Sequence, residues 1–364
     1  MIVAISGLNN RENPAPGIGV AKGLLTGEEP IKGEGIEREK IEREGIKRIG
    51  PNSTNHILIG LSYDPNEPGI YQHIFKKVYL MPYPSLGFKE FKARLEYIKR
   101  ETGIEGIIPT LDAEMGLYLK YREELEKMGI KTLLPTLKQF EMRDKSQLPK
   151  FAEKLGVSHP ETFKLFSVDE LIKKVKELTF PVIVKGNYYK AYRANNLDEA
   201  IDHFYKISNE WGFPILLQEV VGGEEINFVG VAHRGQLLGG VGIKKLTTTD
   251  LGKIWTGVTI DNRSLLQLAH RFVEETNWNG PFELEVISAG ATLYLIEINP
   301  RFPAWVHFAT LVGINLPKMV VELMEGKSVI PQLDYPVGQL YVRYVEELVT
   351  PLHNFNRLIS KKEL

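Results

Sequence analysis

Short apolar runs alternate with amphipathic helical segments across the first 135 residues, and this alternation constrains the fold more than any other feature. The predicted elements are strands over residues 2–5, 56–61, 77–81, 106–109 and 131–134, with helices starting at residue 17 and covering 88–100 and 115–128. Strands that alternate with helices predict a parallel, wound sheet. Because ligands bind at the carboxyl ends of such strands, that edge of the sheet is an expected ligand site.

A charged segment interrupts this pattern between residues 27 and 54. It carries a weak five-residue echo, IEREK, IEREG and IKRIG. Five-residue spacing rotates an apolar position by about 140° per step on a helix, so it makes no clean apolar stripe. We predict an exposed charged insertion before the second strand, with partner binding as the alternative interpretation.

Beyond residue 135 strand runs dominate, and several alternate in an antiparallel style. The predicted strands cover residues 182–185, 215–219, 225–233, 236–242, 282–287 and 293–298, with a helix over 264–276. A tail from about residue 330 holds one more strand, at 337–342, and a polar end. These patterns predict an α/β unit followed by an α+β body.

Composition excludes several classes of function. The 364-residue chain has no cysteine, which excludes disulfides, thiolate zinc sites and cysteine nucleophiles. Its formal net charge of -1 gives no global attraction to nucleic acid or to an anionic membrane. The apolar N-terminus is predicted to be a strand, since it is too short for a signal peptide, and no run approaches the roughly 18 apolar residues of a membrane span. We expect a cytoplasmic protein with neither nucleic-acid nor membrane partners.

Acidic and amide side chains recur on two neighbouring strands late in the chain. Glu283 and Glu285 share one strand face, and Glu297 and Asn299 share another, because strand side chains repeat every two residues. If the strands pair as a hairpin, these oxygens gather on one surface, as Mg²⁺ requires beside phosphates. Arg301 follows directly and can brace a phosphate with its planar fork. An exposed acidic edge is the alternative interpretation.

Two further features indicate a nucleotide site. Lys185 ends a buried strand, so its charge must meet solvent or an anion; a lysine that merely extends to solvent is the alternative. The run QEVVGGEEIN over residues 218–227 breaks at two glycines, which predicts either a hinge with free backbone groups for an adenine edge or a simple hairpin.

Five motifs together resemble the ATP-grasp superfamily, particularly its carbamoyl-phosphate-synthase-like and biotin-carboxylase-like members. They lie at residues 144–145, 180–185, 218–225, 280–285 and 297–301. The motifs cover about residues 143–317, and the strand–helix unit before them fits the expected preceding domain. The resemblance implies a parallel wound domain over 1–135 and a two-lobed body with antiparallel sheets, divided into 136–220 and 221–364.

The resemblance also implies roles for individual residues, with ATP and Mg²⁺ or Mn²⁺ as cofactors. The implied nucleotide-binding residues are Lys145 and Lys185 for the phosphates, Gln218, Glu219 and Val221 for the adenine region, and Glu225 for the ribose. The implied metal ligands are Glu285, Glu297 and Asn299, with Glu283 as a neighbour. Arg301 is expected to steady an acyl phosphate or the transferred phosphate.

One segment departs from the superfamily pattern. Residues 186–194 stand where a glycine-rich loop often covers the phosphates, yet they contain one glycine, three tyrosines and two cations. We predict a lid in which Lys190 and Arg193 replace part of the backbone-amide cradle that glycine-rich loops provide. The alternative is a static surface loop.

Other candidates rest on weaker signals. Lys244 and Lys245 begin a basic stretch that continues at residues 252–257 and could face phosphate or an acid substrate, and Lys244 is a candidate catalytic residue. Asp112 and Glu114 follow a strand end of the first unit and could hold a substrate amine. His307 could be packed or functional, and the histidines show no metal-ligand spacing.

These observations predict an ADP-forming, ATP- and Mg-dependent ligase that activates a carboxylate as an acyl phosphate and couples it to an amine. Its expected partners are a small acid and a small amine, and a homodimer is left open. The alternatives are a kinase-like or carboxylase-like enzyme on the same site, or a non-catalytic ATP-binding protein. The intact set of Glu297, Asn299 and Arg301 argues against the non-catalytic alternative.

Overall fold

The computed structural model describes residues 1–11, 13–26, 56–188, 190–250 and 252–364. The charged insertion predicted over residues 27–54 lies outside these described residues. Within the described ranges, no helix is both long enough and apolar enough to cross a membrane.

The first domain is the parallel sheet that the strand–helix alternation predicts. Its strands are β1 (Ile2–Ser6), β2 (Ile57–Ser62), β3 (Lys77–Leu80) and β4 (Gly106–Ile108), in the spatial order β3-β2-β1-β4. Its helices are α1 (Gly17–Leu25), α2 (Phe88–Thr102), α3 (Asp112–Lys120) and α4 (Arg122–Lys127). Because β1 lies between β2 and β4, the loops after β1 and β4 meet at the carboxyl edge of the sheet.

Two predicted elements of this domain differ in the structure. The helix predicted over 115–128 begins three residues earlier and is split at Tyr121, whose φ of -113° and ψ of 29° are not helical. The strand predicted over 131–134 is reduced to one parallel bridge between Lys131 and Gly106. It stops there because the Leu134 carbonyl accepts a hydrogen bond from the Asn279 side chain, 3.1 Å away, and so turns toward the body.

The smaller lobe of the body is a four-stranded antiparallel sheet covered by helices. Its elements are α5 (Leu137–Phe140), α6 (Leu148–Lys154), β5 (Thr162–Leu165), α7 (Val168–Lys174), β6 (Val182–Gly186), β7 (Ala191–Ala194), α8 (Leu197–Trp211) and β8 (Ile215–Glu219). The strand order is β5-β8-β6-β7. Val182 and Val184 pack into the core under α7 and α8, so Lys185 belongs to the opposite face of the sheet.

The larger lobe is a six-stranded antiparallel sheet. Its elements are β9 (Glu224–His233), β10 (Gln236–Thr248), β11 (Ile254–Thr259), α9 (Arg263–Thr276), β12 (Gly280–Ala289), β13 (Thr292–Asn299), α10 (Val306–Leu311), α11 (Leu316–Met324), β14 (Leu340–Val342) and α12 (Leu352–Lys361). The strand order is β13-β12-β9-β10-β11-β14. The antiparallel prediction for this part of the chain is therefore confirmed.

The two faces of the larger sheet have different environments. On one face, Phe228 and Phe282 pack in the aromatic core that α9 covers. On the other, Val229 and Val241 share a core with α1 of the first domain, α10 and α11. The strand period of two places Asn227, Glu283 and Glu285 on this second face, beyond its apolar part. The apolar core thus positions a polar patch beside the first domain.

After β14 the tail forms the helix α12 and then returns to the first domain. The Leu364 amide donates to the Val78 carbonyl at 2.9 Å, and the Val78 amide donates to the Leu364 carbonyl at 2.8 Å. The residues after α12 therefore cover the open edge of β3, which would otherwise expose unpaired backbone groups.

Candidate functional site

The acidic and amide residues of β12 and β13 meet as the strand period predicts. The antiparallel register sets Glu285 opposite Glu297 and Glu283 opposite Asn299. The Asn299 amide nitrogen donates to Glu285 Oε1 at 2.9 Å and to Glu283 Oε2 at 3.0 Å. Three carboxylates and one amide therefore share one surface patch of the larger sheet.

Two lysines balance the charge of this patch. The Lys245 ammonium donates to Glu285 Oε2 at 2.7 Å and to Glu225, while Lys145 Nζ lies 3.1 Å from Glu297 Oε2. Burial alone would lower the pKa of Lys245, but the surrounding carboxylates outweigh it and raise this pKa. Burial would also raise the pKa of Glu285, yet the charge of Lys245 lowers it to about 2. This carboxylate is therefore ionised at neutral pH.

Glu283 behaves differently from its neighbour. Burial, followed by the charge of Glu285, raises the pKa of Glu283 to about 7. One of its oxygens accepts from Asn227 Nδ2 at 2.8 Å and from Trp305 Nε1 at 2.7 Å. Glu283 is thus held by protein donors, and its role in the patch is to orient Asn299 and Asn227.

Asn227 is a polar residue of this patch that our sequence interpretation did not include. It lies opposite Glu285 on β9, and its Oδ1 is buried without a hydrogen-bond partner among the described residues. Asn227 could have been identified from the sequence, because it lies two residues after Glu225 on the same strand and therefore on the same face of the sheet. An unpartnered buried oxygen next to two carboxylates is a further potential donor to a cation.

The donor set of this patch fits a magnesium ion beside phosphates. Mg²⁺ in such sites keeps one or two carboxylate ligands and takes the rest from substrate phosphates and water. Glu285 and Glu297 face each other across the hairpin, and Asn299 Oδ1 points to Arg301 at 3.4 Å. No group of three or more His, Cys, Asp or Glu in the described part of the chain could hold a metal by itself.

Lys185 lies across from this patch on the smaller lobe. Its ammonium donates to Gln218 Oε1 at 2.9 Å, and Gln218 Nε2 donates to Thr162 Oγ1 at 2.7 Å. Burial, followed by the positive charge of Lys145, lowers the pKa of Lys185 to about 7. A buried ammonium whose hydrogen-bond acceptor is a neutral amide is a ready partner for an anion.

The segment between the lobes is a hinge, which decides between the two interpretations of residues 218–227. β8 ends at Glu219 in the smaller sheet and β9 begins at Glu224 in the larger sheet, so these strands do not form a hairpin. Val221 lies in the link. The Glu219 amide donates to the Glu161 carbonyl at 3.0 Å. A Cβ on Gly223 would lie 2.5 Å from the Ser288 carbonyl oxygen, so the link needs glycine there.

The segment predicted to be a lid is the hairpin between β6 and β7. Gly186 donates to the Lys190 carbonyl at 3.1 Å, and Lys190 has a φ of 64° in the turn. Arg193 is paired with Ile183, which places it on the same sheet face as Lys185. Lys145 donates to the Tyr188 carbonyl at 3.2 Å, so the turn contacts the site. Tyr189 lies outside the described residues.

Arg301 forms a buried ion pair with Asp112 of the first domain. The guanidinium Nη2 and Nε lie 3.0 Å and 3.3 Å from Asp112 Oδ2. Burial would raise the pKa of Asp112, but the charge of Arg301 outweighs it and lowers this pKa. Lys253 lies nearby and donates to the Pro14 carbonyl at 2.8 Å; burial, followed by the charge of Arg301, lowers its pKa to about 8. Cations of the body thus converge on Asp112.

Among the described residues, the two remaining candidates, Glu114 and Lys244, do not contact the cations around Asp112. Glu114 is fully buried and accepts hydrogen bonds from Ser6, from the Tyr63 hydroxyl at 2.6 Å and from two backbone amides at 3.1 Å. Its oxygens are saturated by protein donors that hold the ends of β1 and β4. Lys244 pairs with Glu224 on the sheet face opposite Lys245. Lys245 is the lysine of this pair that contacts the acidic patch.

Comparisons with known proteins agree with this fold. Residues 213–348 match a family model described as "ATP-grasp in the biosynthetic pathway with Ter operon". The chain is 24% identical over 223 residues to the carbamoyl phosphate synthase large chain of Pyrococcus furiosus, covering 56% of this chain and 21% of that one. The chain is also 21% identical over 332 residues to the carbamoyl phosphate synthase large chain of Clostridium beijerinckii, covering 87% of this chain and 30% of that one. The chain spans less than a third of the length of these relatives.

Solved structures show the same architecture. The biotin carboxylase domain of 2-oxoglutarate carboxylase from Hydrogenobacter thermophilus, solved with MgADP, ADP and bicarbonate, has a TM-score of 0.66 at 15% identity, covering 93% of this chain and 73% of that one. The L-amino acid ligase of Bacillus licheniformis has a TM-score of 0.60 at 13% identity, covering 89% of this chain and 74% of that one. The fold and the relatives agree with the family match, which identifies residues 213–348 of this chain as similar to the ATP-grasp family.

Proposed function

We propose that the protein is an ADP-forming ligase that activates a carboxylate as an acyl phosphate and joins it to an amine. The observation that carries the proposal is the convergence of Lys145 and Lys185 on Glu297 and its acidic neighbours, across a hinge between two lobes. The pairing of a cationic and an acidic surface across a cleft suits a nucleotide triphosphate with its metal ion.

Under this proposal, the nucleotide has a consistent place in this cleft. Its phosphates would contact Lys145 and Lys185, while Lys190 and Arg193 on the hairpin provide further donors. Its adenine would lie along Gln218 and the backbone of Glu219 and Val221, and its ribose near Glu225. Glu225 now pairs with Lys245, which fixes the carboxylate in the larger lobe. The roles implied by the superfamily resemblance are thus compatible with one bound ATP.

Glu285, Glu297 and Asn299 would hold Mg²⁺ or Mn²⁺, which neutralises charge on the transferring phosphate when bound. In the described structure Lys145 and Lys245 balance these carboxylates. Both lysines approach from neighbouring elements, so they hold the carboxylates oriented in the free protein. The contacts of Lys145 and Lys245 with the carboxylates thus hold the oxygens in place before a metal ion binds.

The proposed reaction has two steps. A carboxylate oxygen of the acid attacks the γ-phosphorus of ATP, the bond to the β–γ bridging oxygen breaks, and ADP leaves. An amine then attacks the acyl carbon, its carbon–oxygen bond to phosphate breaks, and inorganic phosphate leaves with the oxygen of the former carboxylate. Arg301 steadies the acyl phosphate, and Asp112 orients Arg301 by its ion pair. Positioning and charge stabilisation provide the catalysis.

A carboxylase-like reaction is the second candidate, favoured by the likeness to the biotin carboxylase domain, which was solved with bicarbonate. A screen of ADP release distinguishes the two. We expect release that depends on both an organic acid and an amine, tested with amino acids, dipeptides and small diacids. ADP release that follows bicarbonate and ignores organic acids would favour the carboxylase, and release without any added acid would contradict both.

The lowered pKa of Lys185 predicts proton uptake when nucleotide binds. In the free protein this pKa is about 7, so much of the amine is neutral at pH 8. A phosphate beside it favours the ammonium and raises the pKa again. Binding of an ATP analogue at pH 8 should therefore take up close to one proton, and affinity should fall as pH rises above about 7. Calorimetry in two buffers of different ionisation enthalpy measures this uptake.

Lys185→Met should abolish the proton uptake and weaken analogue binding by about 1.5–3 kcal/mol, the scale of a charge-assisted hydrogen bond. Lys150→Met is the matched control, since Lys150 is exposed on α6. Unchanged uptake and affinity in Lys185→Met would show that this lysine does not contact phosphate.

A further inference from the structure

A large cavity of the described structure lies outside the cleft between the lobes. It has a volume of about 1130 Å³ and lies between α1 and the loop after β1 on one side, α10 on another, and the segment that contains β14 on a third. We call this space the C-terminal chamber. Its size slightly exceeds the roughly 300–1,000 Å³ typical of pockets that bury drug-sized ligands.

The wall of the chamber is largely apolar. Ile18 of α1, Phe308 and Leu311 of α10, and Tyr341 of β14 line it. The Phe308 and Tyr341 rings pack with centroids 5.1 Å apart. Leu311 leaves 41% of its surface exposed, which is unusual for a leucine beside a core. An apolar wall of this extent is suited to a ligand with an apolar body.

The charged groups of the chamber are mainly cationic. Arg11, Lys22 and Arg343 line it, and within the described ranges none of them forms an ion pair. Arg343 donates to two neutral oxygens, Asn10 Oδ1 at 3.2 Å and the Ala304 carbonyl at 2.9 Å. The two acidic lining residues, Asp250 and Glu346, are exposed. Among the described lining residues, three cations thus stand against two exposed carboxylates, and this balance favours an anionic group.

Three polar side chains of the lining, with Arg343 among them through its Nε, have a buried atom without a hydrogen-bond partner among the described residues. His307 Nε2 and Gln72 Oε1 are buried and unpaired among the residues that the structure describes. Burial, followed by the charge of Lys22, lowers the pKa of His307 to about 4, so the imidazole is neutral at pH 7. Unsatisfied buried polar groups beside a cavity are typical of a ligand site.

The chamber adjoins the region proposed for acyl transfer. Arg343 donates to the carbonyl of Ala304, three residues after Arg301. Trp255 lines the chamber, and two residues earlier Lys253 lies near Arg301 and Asp112. Segments that line the chamber therefore continue directly into those that carry Arg301 and Lys253.

We propose that the C-terminal chamber binds the larger of the two substrates, an anionic molecule with an apolar body bigger than a single small amino acid. This inference rests on the proposed function, since it assigns one of that enzyme's substrates. The cations would hold the anionic group, and the wall formed by α1, α10 and β14 would bury the apolar body. Glycine or bicarbonate would leave most of the volume unfilled.

An apolar aromatic anion, 1-anilinonaphthalene-8-sulfonate, is the probe for this chamber. We expect one molecule to bind per chain with enhanced fluorescence, and the dipeptide N-acetyl-Phe-Phe to displace it where glycine does not. Leu311→Trp, which places a larger side chain in the wall and narrows the chamber, should weaken probe binding at least tenfold. Lys22→Met should weaken it about tenfold, the loss of one charge-assisted contact. Leu137→Trp and Lys120→Met are matched controls on exposed positions outside the chamber.

Two measurements separate this inference from the proposed function. Probe affinity that is equal in Leu311→Trp, Lys22→Met and the wild type would overturn the chamber as a binding site, whatever the ADP-release screen shows. ADP release stimulated equally by N-acetyl-Phe-Phe and by glycine would overturn its role in substrate choice while leaving the ligase intact. Stimulation by the dipeptide that Leu311→Trp abolishes would support it. A thermal shift with an ATP analogue confirms that each variant is folded.

Discussion

Glu297→Gln is expected to lower ADP release by at least about 100-fold, the scale seen when a group that stabilises transferring charge is removed. Glu297 lies opposite Glu285 in the hairpin register and pairs with Lys145 at 3.1 Å. Glutamine keeps the volume and hydrogen-bonding length of the side chain but removes its charge. The metal ligand set would lose one of its two carboxylates, and Lys145 would lose its ion-pair partner.

The matched control for this change is Glu224→Gln on the same sheet. Glu224 pairs with Lys244 and is 60% exposed, so its charge is screened by solvent. We expect near wild-type ADP release in this variant and equal thermal stability in both. Near-normal release in Glu297→Gln would show that Glu297 is not a metal ligand.

Asp112→Leu is expected to lower the free energy of unfolding by about 3–5 kcal/mol, because it leaves the buried Arg301 guanidinium without its counter-charge. The two side chains are each 16% exposed and connect the first domain to the larger lobe. Chemical denaturation followed by fluorescence measures the loss. The expected loss is larger than for most single substitutions.

A double-mutant cycle tests whether the effect belongs to the ion pair. Asp112→Leu/Arg301→Met replaces both charges by apolar groups and should recover most of the stability that Asp112→Leu loses. The double variant should nevertheless release no ADP, because Arg301 is proposed to steady the acyl phosphate. Additive losses in the cycle would show that the pair is not coupled, and activity in the stable double variant would remove Arg301 from the proposed reaction.

Strand periodicity made much of this architecture predictable. The period of two along residues 282–287 and 293–298 predicted that Glu283, Glu285, Glu297 and Asn299 gather on one surface if the strands pair. The register of β12 and β13 shows this pairing. The alternation in the first 135 residues likewise predicted the parallel sheet. Local patterns succeed here because hairpins and parallel strand–helix units are formed by segments adjacent in sequence.

Contacts between distant segments were not predictable in the same way. Which of two adjacent lysines faces the acidic patch depends on the phase of β10, which the local pattern does not set. Lys245 makes the contacts, and the candidate Lys244 pairs with Glu224 on the other face. Asp112 and Glu114 are two residues apart, yet one meets Arg301 and the other is saturated by Ser6 and Tyr63. The C-terminal chamber is formed by segments more than 300 residues apart, which no local pattern encodes.

Transfer of oxygen from the acid to phosphate tests the central claim most directly. An acid substrate found in the ADP-release screen is labelled with ¹⁸O in its carboxylate and incubated with ATP, Mg²⁺ and the amine. An acyl phosphate intermediate places one labelled oxygen in the inorganic phosphate, because the carbon–oxygen bond breaks in the second step. We therefore predict one ¹⁸O per phosphate released, measured by mass spectrometry. Phosphate that carries no label while the amide product forms would contradict acyl phosphate formation.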